Sequence, residues 1–215
     1  MKIGIVNAGN IGRTLAKPWH RAGHKLLLAK QGDREKLDRF MPEVEGALRG
    51  TPKQAADFGE VVLFSVYWLN LDKVLAEVGD LEGKIVIDTM NPLKVNEQFE
   101  HDRDLEFMKS SSTSEELQKR LPKARVVKAF SNMSAVVLDS NQWSNNPVKP
   151  PIFVASDDRL AKEVVFQPSA NRREKDAPFP EPTPTITHTG LFIGFPHKLI
   201  YLAHHLLVLT LHYYI

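Results

Sequence analysis

The 215-residue sequence contains no cysteine. Disulfides, cysteine–zinc sites and thiol nucleophiles are therefore excluded. A dominant charge is missing too: 28 Lys and Arg stand against 26 Asp and Glu, for a formal net charge of +2. That near-balance removes the electrostatic ground for a nucleic-acid or membrane-surface partner. No apolar run reads as a membrane span of about 20 residues. The best candidate, Leu199 to Ile215, carries His204, His205 and His212 and has no nearby carboxylate to complete a metal site. No secretory leader is read at the N-terminus, because a glycine turn follows Lys2 where an apolar core would continue. The expected location is the cytoplasm. No spacing brings together a Ser/His/Asp set or a pair of carboxylates, so no catalytic side chain is assigned.

What the sequence does have is alternation. Short β-branched runs (KIGIV at the start, HKLLLA at 24–29, VVLFSV at 61–66, KIVID at 84–88, ARVVKAF at 124–130 and IFVAS at 152–156) alternate with amphipathic segments. The amphipathic segments are expected as helices over Asn10 to Ala22, over Asp33 to Met41, opening at Thr51-Pro52, over Leu69 to Val78, opening at Ser112-Thr113-Ser114-Glu115-Glu116, and from Asp157 to about residue 167. Thr113 and Glu116 have capping-box spacing. A weak strand is expected near Ala47 to Arg49. Such alternation predicts an α/β fold: a doubly wound, mostly parallel sheet with helices on both faces. This domain is expected to cover residues 1–167. Prolines at 168, 178, 180, 182 and 184 then exclude helix interior and central strand, leaving a proline-rich linker and irregular apolar tail over 168–215.

The stretch NAGNIGRT follows the first strand. It places Asn7, Gly9 and Gly12 where the dinucleotide-binding pattern G-x-G-x-x-G has three glycines. Asparagine tolerates a left-handed backbone, so Asn7 is expected to be a mild substitution for a turn glycine. The helix beginning near Asn10 would point its first amides at a phosphate. The second strand ends at Ala29-Lys30 with no carboxylate for a ribose diol, and Lys30 and Arg34 bracket the place of a 2′-phosphate. Those cations favour NADP(H) over NAD, with Asp33 as the dissenting residue.

The segments MKIGIVNAGNIGRTLA, KIVIDTMNPL, SSSTSEELQKRLPKARVVKAF and IFVASDD, in this order, resemble the F420-dependent NADP oxidoreductase family over residues 1 to about 166. The N-terminal Rossmann domain of that family also occurs in pyrroline-5-carboxylate reductases. The resemblance implies hydride transfer between NADP(H) and a deazaflavin (F420), a flavin or another small redox acceptor, and it is compatible with a homodimer. Face-to-face stacking of two rings requires proximity more than an acid or a base. By the same resemblance the cofactor positions are Asn7, Gly9, Asn10, Ile11 and Gly12, then Val66 and Tyr67, Asn91 and Pro92, and Ala129 and Phe130. The chain departs from the family at Val66-Tyr67, at Phe130-Ser131-Asn132, and everywhere from Pro168 onward. Loss of pattern inside a helix is what a frameshift or mis-spliced exon produces; a divergent native tail is the alternative. Two functions thus stand beside each other: an NADP(H)-dependent oxidoreductase, or a non-catalytic NADP(H)-binding protein or truncated paralogue acting as a redox sensor.

Overall fold

The apolar runs form one sheet because its central strands, such as Val61–Phe64 and Ile85–Asp88, carry buried hydrophobic side chains on both faces. The computed structural model describes residues 1–29, 34–95, 101–139 and 152–166. In chain order the elements are β1 (Lys2–Ile5), α1 (Asn10–Arg21), β2 (Lys25–Ala29), α2 (Arg34–Phe40), β3 (Leu48–Gly50), α3 (Pro52–Phe58), β4 (Val61–Phe64), α4 (Leu71–Val78) and β5 (Ile85–Asp88). They continue with β6 (Leu93–Val95), β7 (His101–Arg103), α5 (Leu105–Met108), α6 (Thr113–Arg120), β8 (Arg125–Ala129), α7 (Ala135–Leu138), β9 (Val154–Ala155) and α8 (Arg159–Phe166). Single 3-10 turns cover Met41–Val44 and Trp68–Asn70.

The main sheet has the order β3-β2-β1-β4-β5-β8-β9. All neighbouring pairs are parallel except β8 with β9. The expected doubly wound architecture is therefore present. Strand side chains alternate between two cores, as a period of two requires. Ile3, Ile5, Leu63, Ile87 and Val127 face one way, with Leu15 and Trp19 of α1 and Ala161 of α8. Val62, Phe64, Val86 and Val126 face the other way, with Leu71, Val74 and Val78 of α4 and Leu117 of α6. Fully burying a side chain such as Phe64, which has no exposed surface, is worth roughly 2–3 kcal/mol.

Local signals explain most boundaries. Thr51 caps α3 and forms a capping box with Gln54, with Pro52 in the first turn. Gly23 ends α1 with φ of 76° and Gly79 ends α4 with φ of 74°. Three features differ from expectation. The polar stretch after β5 contains an antiparallel pair, β6 with β7, joining Leu93 to Arg103. Its short strands lack the apolar run that marks a buried strand. The last strand is reduced to two residues and runs antiparallel on the sheet edge, a common way to finish a parallel sheet.

The third difference concerns α6. Its N-cap is Ser112, whose hydroxyl accepts from the Glu115 amide at 3.2 Å, rather than Thr113. The Thr113 hydroxyl is drawn inward to the Asp88 carboxylate at 2.8 Å, a charged and therefore stronger acceptor. Among the described residues no helix is long and apolar enough to cross a membrane. The expected tail at 168–215 lies outside the described residues.

Candidate functional site

The chain leaves β1 at a point where its hydrogen bonds divide. The Val6 amide donates to the Leu63 carbonyl on β4 at 3.0 Å, and the Ala8 amide donates to the Ala29 carbonyl on β2 at 2.7 Å. From β1 the chain builds outward to β2 and β3, then crosses to β4 on the opposite side. This reversal is the topological switch point, where doubly wound sheets open a crevice at the carboxyl ends of their strands. Asn7 stands over it and is half-buried. Its side-chain amide donates to the Ser65 carbonyl at 2.9 Å, tying the turn to the end of β4. The expected reason for asparagine here is corrected. Phe130 is the one non-glycine with positive φ among the described residues, so Asn7 does not occupy the left-handed region. It serves as a strut, which a glycine at this position would lack.

The two glycines act differently. A Cβ on Gly12 would lie 2.7 Å from the Asn7 carbonyl oxygen and 3.1 Å from Ile5 Cγ2, so glycine is required for α1 to approach β1. Gly9 has φ of −69° and ψ of −161°, which any residue adopts. A Cβ there would meet only Asn7 Nδ2, at 3.6 Å, an ordinary contact. Neither backbone conformation nor internal packing demands glycine at 9. The space a side chain would fill lies over the start of α1, where a pyrophosphate would approach.

That helix start could take an anion. Among the described residues no side chain caps it, and no acidic residue lies in its first turn. The amides of Asn10, Ile11 and Gly12 precede the first intrahelical bond, from the Arg13 amide to the Gly9 carbonyl. Asn10 is exposed, while Ile11 is half-buried and packs on the core. Arg13, which the sequence reading did not single out, adds a fixed cation. Its guanidinium donates to Asn10 Oδ1 at 2.9 Å and reaches the Ala8 carbonyl at 3.5 Å. A guanidinium one turn into a glycine-led helix is the sequence signal that could have found it.

The remaining candidates follow other strands at the same carboxyl edge. After β4, Val66 is half-buried and Tyr67 is 56% exposed. Trp68 lies 5.1 Å from the Phe107 ring and under the Arg120 guanidinium. After β5, the Asn91 side-chain amide donates to the Ser131 carbonyl at 3.0 Å, joining the β5 and β8 loops. Pro92 is buried. Ala129 and Phe130 are 0% and 2% exposed and belong to the core, so they offer a ligand backbone rather than side chain. Phe130 has φ of 60°, a left-handed conformation that costs about 1–2 kcal/mol in a non-glycine residue. Its ring packs edge-on to Trp19, with centroids 6.4 Å apart. Lys30 lies outside the described residues, as does the side chain of Arg34, which begins α2.

Beneath the β5 loop lies a buried charged cluster. Asp88 on β5 pairs in register with Lys128 on β8. Asp88 is fully buried and the Lys128 side chain is 12% exposed. Asp88 Oδ2 accepts from Thr113 Oγ1 at 2.8 Å, Ser114 Oγ at 2.6 Å and Lys128 Nζ at 3.2 Å. Asp88 Oδ1 accepts from the Met90 amide at 2.7 Å. Lys128 Nζ also donates to the Met90 carbonyl and, at 2.8 Å, to Thr113 Oγ1. Burial pushes the Lys128 pKa below its ordinary value, and the Asp88 carboxylate opposes that shift. Neither Asp88 nor Lys128 is among the candidate site residues read from the sequence. A lysine inside the apolar run VVKAF was the available signal.

Residues 2–92 match the family described as NADP oxidoreductase, coenzyme F420-dependent. Over those residues the chain is similar to that family. The family segment runs from β1 to Pro92 and so holds the switch point, the Gly9 turn and the loops after β4 and β5. Lys128 and Phe130 lie beyond it. Across 117 residues the chain is 37% identical to the F420-dependent NADP reductase of Methanocaldococcus jannaschii, covering 53% of this chain and 50% of that one. It is 24% identical over 166 residues to the metalloreductase STEAP3 of Rattus norvegicus, covering 77% of this chain and 31% of that protein. The chain thus spans half the length of the first of these curated relatives and less of the second. A solved structure from Arthrobacter sp. FB24, assigned to the F420-dependent NADP reductases, superposes with a TM-score of 0.66 at 25% identity over 77% of each chain.

Proposed function

We propose that this protein is an NADP(H)-dependent oxidoreductase that passes a hydride between the nicotinamide and a deazaflavin or flavin-like acceptor. The observation that carries the reading is Gly9. It is a glycine that neither backbone nor packing requires, set over an uncapped helix start at the switch point. The family of residues 2–92 supports NADP(H) as the dinucleotide, and the Methanocaldococcus jannaschii relative supports F420 as the acceptor class. When bound, NADP(H) supplies or receives the hydride. The chain's own contribution is to hold and orient it. The amides of Asn10, Ile11 and Gly12, with the Arg13 guanidinium, bind the pyrophosphate. Lys30 and Arg34 select the 2′-phosphate. The loops bearing Val66-Tyr67, Asn91 and Ala129-Phe130 limit where the nicotinamide ring lies. Orientation alone supplies the larger share of such a reaction, since hydride transfer between stacked rings needs no proton at the reacting carbon.

The test uses the purified 215-residue protein. NADPH binding is followed by nicotinamide fluorescence, and NADPH oxidation is assayed with deazaflavin, FMN and ferric acceptors. Turnover with one of the first two is the expected result. Binding without turnover on any acceptor would leave a non-catalytic NADP(H)-binding protein. Equal affinity for NADH would remove the roles given to Lys30 and Arg34.

A further inference from the structure

We propose that Lys128 and Asp88 are positioning residues, which fix the Met90–Pro92 loop for the nicotinamide half of the dinucleotide by holding both polar groups of the Met90 peptide backbone. This rests on the NADP(H) reading above.

The argument begins with what the pair touches. The Met90 amide donates to Asp88 Oδ1, and the Met90 carbonyl accepts from Lys128 Nζ. One residue is thus held from both sides by opposite charges on neighbouring strands. The rest of the cluster removes slack. All three ammonium protons have acceptors: Asp88 Oδ2, Met90 O and Thr113 Oγ1. The Thr113 hydroxyl donates to Asp88 while accepting from Lys128, and Ser114 gives Asp88 Oδ2 a further donor.

Such a pair is a poor device for stability alone. Desolvating two charges costs several kcal/mol each, and apolar replacements of similar volume are often neutral or better. A closed charged network does give one well-defined geometry. Here that geometry passes to the next residue. With Met90 fixed, Asn91 reaches across to the Ser131 carbonyl and Pro92 is buried, which closes the loops after β5 and β8 on each other. In a doubly wound sheet the adenosine half of the ligand lies on the β2 side of the switch point. The nicotinamide half therefore lies on the β4, β5 and β8 side, beside this loop.

The test separates the two halves of the ligand. The paired variant Asp88→Asn with Lys128→Met keeps the volumes and leaves no lone buried charge. Its affinity is measured for NADPH and for 2′-phospho-ADP-ribose, which lacks nicotinamide. The expected result is a loss of about tenfold or more for NADPH, with the shorter ligand within about twofold of the wild type. Equal loss for both ligands would mean general structural damage and would overturn the proposal, as would no loss for either. Wild-type protein that binds neither ligand would instead overturn the NADP(H) reading itself. A second measurement needs no variant. Amide hydrogen exchange at Met90 and Asn91 of the wild type should slow further with NADPH than with 2′-phospho-ADP-ribose; identical protection would overturn the proposal.

Discussion

The turn after β1 and the cluster beneath the β5 loop both gather polar groups at the carboxyl edge of the sheet, and they dispose of them in opposite ways. Around Gly9, among the described residues, the start of α1 has no side-chain cap and no acidic residue in its first turn. Around Asp88 every donor and acceptor of the charged pair has a protein partner. Polar groups left without a protein partner beside a glycine stay open to water or to an anion. Polar groups met completely mark a place where the chain fixes its own shape. The difference gives each region a distinct response to substitution.

The largest effect is expected at the closed cluster. Asp88→Ala would leave the Lys128 ammonium buried without its counter-charge and the Met90 amide without its acceptor. A loss of about 3–5 kcal/mol is expected, measured as a fall in the denaturant midpoint at unchanged slope. A loss below about 1 kcal/mol would show that water replaces the carboxylate, and the cluster would then not be closed.

The open turn should behave in the reverse sense. Gly9→Ala meets no clash and needs no unusual φ, so stability should stay within about 0.5 kcal/mol of the wild type. NADPH affinity should nevertheless fall by about tenfold or more, because the new methyl occupies the space of the pyrophosphate. A titration showing unchanged affinity would remove the main support for the proposed site.

Asn7 sharpens the same contrast, because it belongs to the turn yet acts as internal structure. Asn7→Gly would match the dinucleotide-binding pattern more closely. The structure predicts that it is nonetheless destabilising by about 1–2 kcal/mol. The bond to the Ser65 carbonyl is lost and backbone freedom is added, with no left-handed conformation to relieve. A thermal melt at or above the wild-type midpoint would contradict this.

Asn7 also illustrates what was legible in the sequence. The alternation of apolar runs predicted the sheet and most of its strands, because burial on both faces leaves a run that needs no partner to be seen. The Thr51-Pro52 cap was equally visible, since capping is local in sequence. What escaped was long-range. The bonds of Asp88 to Thr113, Ser114 and Lys128 join residues 25 to 40 positions apart, and no local pattern links them. That same network took Thr113 away from the cap its spacing suggested. The antiparallel pairing of β6 with β7 escaped for another reason: three-residue strands in polar sequence carry no periodicity to detect. At the site, glycine spacing found the turn, but only coordinates separate Gly12, which packing requires, from Gly9, which it does not.

The smallest predicted effect concerns a second charged pair, which shows how much burial matters. Arg125 holds Asp158 through two bonds, at 2.6 and 2.9 Å, and each side chain is 33% exposed. The guanidinium, with the Ala161 amide as the next cause, lowers the Asp158 pKa from 3.8 to about 2. The sign follows directly. The folded state prefers the ionised carboxylate, so the contribution is complete above pH 3.8 and is lost as pH falls through about 2. With a third of each side chain in water, solvent screening reduces the contribution to about 1 kcal/mol. Asp158→Asn should remove it, so the stability gap between variant and wild type should close as the pH is lowered from 4 to 2. If the gap stays constant over that window, the bond to the Ala161 amide and the packing of α8, rather than the ion pair, hold this edge of the sheet.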